Sequence, residues 1–209
     1  MKLSAYTIKE LLQTEPPLIT GLSPEQTSGR MEGSKVDLTL AAVATLEQVS
    51  NLSAFMGVNF RKTPPTKEIE PSPLPYSSSM KTGDGWVLFP GFYLLQTNET
   101  LNMPFWLIGN IQERTSIFRN GSICRVTSAD PGFSGKITCA LFVPPRTQLV
   151  IEQNARFLSI RFEPIINVQF HDGLPIIFGI SRDPSETDPY KGIWSGDKRS
   201  TEGAVERGF

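Results

Sequence analysis

Residues Glu113 to Gly121, ERTSIFRNG, place Arg114, Thr115, Ser116 and Arg119 within one short stretch. Two guanidiniums and two hydroxyls at that density are charge-assisted donors of the kind that hold a polyphosphate. A solvated surface turn has the same composition, so on its own the cluster leaves both readings open. Downstream, ADPGFSG sets one acid, Asp130, in a Pro-Gly turn ahead of Phe133 and Gly135. Such an aspartate commonly bonds only nearby backbone, and Phe133 reads equally well as core. Their joint occurrence, about fifteen residues apart, favours one shared site over two unrelated surface turns.

The rest of the composition bounds what that site can be. Charge is almost balanced, 20 Lys+Arg against 21 Asp+Glu, so no global field attracts nucleic acid or anionic lipid, and any anion site must be local. Two cysteines, Cys124 and Cys139, and one histidine, His171, cannot complete a zinc site without carboxylates. Neither H-x-E nor P-C-x-x-C occurs. No signal peptide and no apolar run of about 18 residues is present, so the expectation is a cytoplasmic protein with reduced thiols, free of membrane and of nucleic acid. The N-x-S/T triplets at Asn51, Asn98 and Asn120 are then chance.

Several elements must position these residues. LSAYTIKELL, residues 3 to 12, carries Leu3, Ile8, Leu11 and Leu12 on a helical period, with Thr7 and Glu10 spaced as a capping box. In KVDLTL, Val36, Leu38 and Leu40 alternate with polar residues, as in a half-buried strand. Residues 62 to 85 hold Pro64, Pro65, Pro71, Pro73 and Pro75 and a serine run, which predicts an irregular excursion. From Trp86 the pattern is β: WVLF, FYLLQT, LNMPFWLIG, KITCALFV, TQLVIE and ARFLSIRFEP, and after Pro164 one more apolar run, LPIIFGI. Short strands between Gly/Pro turns predict an all-β distorted barrel or jelly roll. A chain of 209 residues fits one such domain, 1–189, which buries roughly 70% of its unfolded surface. The polar tail 190–209 cannot fold on itself; it either frays or orders over a ligand, with Lys191, Lys198 and Arg199 as cations suited to phosphate.

In order along the chain, LSAYTIKELL, GSKVDLTL, LFPGFYLLQT, ERTSIFRNG, ADPGFSG and RFEP resemble the motifs of the dCTP deaminase branch of the trimeric dUTPase superfamily. The tail is similar more loosely, through PYKGIW and EGAV. The resemblance implies a dUTPase-like β-barrel with a flexible C-terminal lid, a homotrimer, and active sites between subunits. It implies that Arg114, Thr115 and Ser116 grip the triphosphate, aided by Arg119 and by Mg2+ bound mainly through the phosphates. Asp130 would meet the sugar 3′-hydroxyl, and Phe133, with Gly135 behind it, would pack on the deoxyribose. Tyr190 and Lys198 would close the site from the tail.

One departure matters for chemistry. Deaminases of this type carry a glutamate in the pattern D-P-G-W-S-G-x-I-x-L-E-F, and the matching position here is Ala140. A methyl group moves no proton. Glu113 stands where the family has glycine, and the stretch between Gly121 and Asp130 is shortened. The expected activity is therefore magnesium-dependent release of diphosphate from dUTP, or from dCTP. The alternatives are a dCTP deaminase producing dUTP through another acid, such as Glu152 or Glu163, and a non-catalytic nucleotide-binding regulator.

Overall fold

In a computed structural model of the chain, the described residues are 2–27, 34–46, 55–56, 61–62, 66–74, 83–171, 174–180 and 191–192. The N-terminal period forms helix α1 (Ala5–Leu11). Its cap is Ser4, whose Oγ accepts from the Thr7 amide at 3.2 Å. The expected Thr7–Glu10 box is thus displaced by one turn: Thr7 is already helical, and the earlier hydroxyl takes the orphan amide. Ile8 on α1 is fully buried, and the Leu3 amide donates to the Phe162 carbonyl at 2.9 Å, which fixes the helix to the barrel.

After β1 (Ile19–Thr20) and the short α2 (Pro24–Thr27) comes the long β2 (Lys35–Leu46). Val36, Leu38 and Leu40 point inward at period two, and a register shift at Leu40/Ala42 then passes the inward face to Val43. Such a bulge bends a strand, as a small barrel requires.

The stretch expected to be irregular holds short strands among its described residues. Between β3 (Phe55–Met56) and β7 (Asp84–Leu88) lie β4 (Arg61–Lys62), β5 (Thr66–Ile69) and β6 (Ser72–Pro73). β5 pairs with the end of β2 and β6 with the start of β7. Pro73 lies in β6, at the edge of its sheet, where a proline costs no ladder hydrogen bond when the missing donor would face outward.

The remaining strands are β8 (Gly91–Asn102), β9 (Leu107–Glu113), β10 (Ile123–Arg125), β11 (Ser134–Val143), β12 (Leu149–Glu152), β13 (Arg156–Pro164), β14 (Ile166–His171), β15 (Leu174–Ile180) and β16 (Lys191–Gly192); helix α3 (Thr115–Arg119) follows β9. LNMPFWLIG is two elements rather than one strand, since β8 ends at Asn102 and β9 begins at Leu107. Pro104 lies in the break.

The main sheet runs β10-β11-β8-β2-β13-β9. Its far edge returns to its near one through a bridge between Gly109 on β9 and Ala129 just ahead of β11, with amide–carbonyl distances of 2.8 and 2.9 Å. The result is a nearly closed all-β barrel, as expected. A side chain at Gly109 would meet Ile160 Cδ1 at 2.7 Å and Ala129 Cβ at 3.1 Å, so the two segments approach closely at the bridge. Inside, Leu38, Leu95, Leu141, Phe157 and Phe162 are fully buried, each contributing about 1.5–3 kcal/mol over exposure.

Candidate active site

β9 hands over to α3 at Arg114, which caps the helix in an extended conformation. The Arg114 amide donates to the Phe157 carbonyl at 2.9 Å, so β13 sets the position of this junction. Its guanidinium makes an ion pair with Asp37 Oδ2 on β2. Thr115 and Ser116 open α3 and are exposed, Ile117 anchors the helix in the core, and Arg119 closes it, exposed. Thr115 and Arg119 are one turn apart on one helical face. The structure thus brings Arg114, Thr115, Ser116 and Arg119 to one corner, beside a cavity of about 450 Å³ lined in part by Glu113, Thr115, Phe118 and Arg125.

The Glu113 carboxylate, part of the same lining, is engaged by backbone. Its Oε2 accepts from the Cys124 amide at 2.9 Å, tying β9 to β10. Behind it, the free Cys124 and Cys139 sulfurs lie 3.1 Å apart and buried. The hydrogen bond to Cys124, burial, and the Cys124 and Glu113 charges raise the Cys139 thiol well above its ordinary pKa. Such a thiol stays protonated and chemically quiet at neutral pH.

The acid sits at the other end of β9. Asp130 is exposed, and its carbonyl accepts from the Phe133 amide at 3.0 Å to close the turn. Gly132 holds φ +77°, and a Cβ there would press on Phe105 Cε1 at 2.6 Å, so the Pro-Gly pair is required by shape. Among the described residues, the Asp130 carboxylate makes no hydrogen bond or ion pair. Phe133 is buried and lines a cavity of about 780 Å³ with Met103, Phe105 and Trp106. Ser134 and Gly135 pair with Asn102 and Leu101 on one side and with Lys191 and Gly192 on the other. Tyr190 and Lys198 lie outside the described residues.

One chain does not join these two ends. Ala129 is bridged to Gly109, and Arg114 lies five residues further along the β9 direction, roughly 16 Å at strand rise.

Ala140 lies on the outward face of β11, opposite Leu94 of β8 and Arg125 of β10. Its neighbours on that face are Thr138 and Phe142 along β11, Phe92 and Gln96 on β8, and Ile123 on β10; none is an acid. Glu152 is elsewhere, opposite Gly85 in the β12–β7 pair, and Glu163 is opposite Ile108 near the end of β13. Phe92, Phe142 and Ile123 form an adjacent cross-strand row, 44%, 43% and 48% exposed.

Two residues of this neighbourhood escaped sequence reasoning. Asp37 stood inside a quoted motif, and its only signal was a lone acid in an alternating strand. Arg156, whose Nη1 lies 3.5 Å from the same Asp37 oxygen, gave none. Nearby, Glu99 is fully buried, and its carboxylate accepts from Gln26 Nε2 at 2.7 Å, Thr39 Oγ1 at 2.6 Å and the Thr39 amide at 2.9 Å. That network joins α2, β2 and β8 behind Asp37.

Comparison with known proteins decides the family: its dCTP deaminase-like domain matches residues 3–165. The chain belongs to the dCTP deaminase-like family. A dCTP deaminase, dUMP-forming, from Coprothermobacter proteolyticus is 30% identical over 78% of this chain and 82% of its own length. A probable deoxyuridine 5′-triphosphate nucleotidohydrolase from Methanosarcina mazei is 26% identical over 82% of this chain and 92% of its own. The crystal structure of 2′-deoxycytidine 5′-triphosphate deaminase from Agrobacterium tumefaciens superimposes with a TM-score of 0.55 at 17% identity, over 81% of this chain and 48% of that one. That likeness shows the shared fold. Among the described residues of this dCTP deaminase-like chain, no group of three or more His, Cys, Asp or Glu side chains could hold a metal ion, and no helix is long and apolar enough to cross a membrane.

Proposed function

We propose that this dCTP deaminase-like chain is a magnesium-dependent diphosphatase that converts dUTP to dUMP and diphosphate. One observation carries the reading. Among the described residues, the outward face around Ala140 holds no acid, whereas Asp130 is exposed and its carboxylate is unengaged. An arrangement lacking the deaminase's proton carrier but keeping a phosphate grip and a water-orienting acid favours hydrolysis at phosphorus.

Arg114, Thr115 and Ser116 hold the triphosphate, with Arg119 one turn further offsetting charge that develops on the leaving diphosphate. Asp130 accepts a hydrogen bond from the sugar 3′-hydroxyl and orients water. The water oxygen bonds to the α-phosphorus and releases a proton to solvent while the bond from that phosphorus to the bridging oxygen breaks, and diphosphate departs with the electron pair. Phe133 packs against the deoxyribose. The residues present suit a cation carried on the phosphates, since the described chain offers no cage for one; Mg2+ so held supplies charge neutralisation.

The roughly 16 Å between the two half-sites supports a site shared between subunits of a homotrimer. The exposed row Phe92, Phe142 and Ile123 is of the kind a second copy covers. Light scattering is expected to give three times the 23.2 kDa chain mass, and a mass near one chain at micromolar concentration overturns the shared site.

The name of the Methanosarcina mazei relative, a nucleotidohydrolase, agrees with hydrolysis. That of the Coprothermobacter proteolyticus relative, a dCTP deaminase, dUMP-forming, favours a second reading, deamination of dCTP. Incubation with dUTP or dCTP plus magnesium, with products separated by chromatography, decides between them. Diphosphate without ammonia supports the first reading and ammonia from dCTP the second. Neither product leaves a non-catalytic binding protein.

A further inference from the structure

Two guanidiniums converge on one carboxylate oxygen. Asp37 Oδ2 receives Nη1 of Arg114 and, at 3.5 Å, Nη1 of Arg156, while Oδ1 is buried and has no partner among the described residues. The Asp37 side chain is only 13% exposed, against 31% for Arg114 and 42% for Arg156. Only Nη1 of Arg114 is on Asp37, and turning the guanidinium fork to face phosphate draws that nitrogen away. Once released, a poorly hydrated carboxylate would stand uncompensated beside an incoming polyanion, which penalises binding twice, through lost pairing and through repulsion.

We infer that Arg156 is a positioning residue that takes over Asp37 when Arg114 turns to the triphosphate; this rests on the reading that Arg114 grips phosphate. The placement suits the exchange. Arg156 starts β13 opposite Thr39, the next residue after Asp37 on that face of β2. It lines a cavity of about 1170 Å³ with Thr39, Asn98 and Asn154, which leaves its guanidinium room to swing. Oδ1 is the second acceptor that a bidentate fork needs. Asp37 itself is held in place by the neighbouring bonds of its strand: its carbonyl accepts from Gln26 Nε2 at 2.8 Å.

The test is a double-mutant cycle read by calorimetric binding of inorganic tripolyphosphate, with KM and kcat for dUTP alongside, on the full chain. Arg156→Gln is expected to weaken tripolyphosphate binding on the order of tenfold and to raise KM more than it lowers kcat. In an Asp37→Asn background, where no charge needs covering, the same change is expected to cost less than about twofold. Arg156→Lys, which keeps the charge, restores most of the binding. Equal weakening in both backgrounds overturns the inference, because it marks a direct phosphate contact. So does unchanged binding by Arg156→Gln while Arg114→Gln loses it, and in that case the phosphate grip itself survives. A wild type that binds no tripolyphosphate overturns the grip and the inference together. If Asp37→Asn fails to fold, Arg156→Lys decides: binding as weak as that of Arg156→Gln overturns the proposal.

Discussion

The two ends of β9 are built on opposite terms. At the Glu113 end three charges are engaged within the chain: Arg114 on Asp37, Arg156 on the same oxygen, Glu113 on the Cys124 amide. At the Gly109 end, Asp130 stands exposed on a turn whose backbone is closed but whose carboxylate touches nothing described. A pre-engaged charge serves stability as well as ligand binding, and altering it disturbs both. A bare one serves only what arrives, so its loss is felt in turnover alone. The contrast makes different variants separable.

The largest effect is expected from Asp130→Asn. Diphosphate release should fall by about 10²–10⁴-fold with the melting temperature unchanged; a drop of several degrees would mean that the acid has a structural partner and the contrast is false. Arg114→Gln comes next. It should weaken tripolyphosphate binding by roughly 10- to 100-fold, as losing a charged hydrogen bond implies, and also lower stability by about 1 kcal/mol, both visible by calorimetry. Glu113→Gln sharpens the picture in the opposite direction. The amide oxygen still accepts from Cys124 while a negative charge leaves the corner, so affinity should rise about two- to threefold at low salt and less at high salt. Smallest is Ala140→Ser, with less than about twofold change in rate, since the methyl it replaces transfers no proton.

Much of this was legible because local pattern and tertiary role agreed. The alternation in KVDLTL is the inward row of β2, and the Pro-Gly turns fall between strands. Reading failed where inward positions are polar. NET, residues 98 to 100, reads as a gap between strands, yet Glu99 faces inward on a continuous β8, because bonds from Gln26 and Thr39 satisfy its carboxylate. The phosphate corner was legible as a cluster because its residues are neighbours in sequence. Its electrostatic support was not, since Asp37, Arg114 and Arg156 come from three distant segments and only the sheet order makes them meet.

That sheet order also governs how the chain reaches its fold during synthesis. β2 is central, flanked by β8 and β13, but it is made before either. Its first long neighbour starts at Gly91 and its second only at Arg156. Until then a twelve-residue strand, apolar on one face, has two open hydrogen-bonding edges. Pairings of such sequence separation form slowly, and open edges of this kind recruit other chains. The β5 segment, which pairs with the far end of β2 at Val43 to Leu46, is made before β8 and β13, so it is available to shield those four residues of one open edge while the rest of β2 waits for its partners.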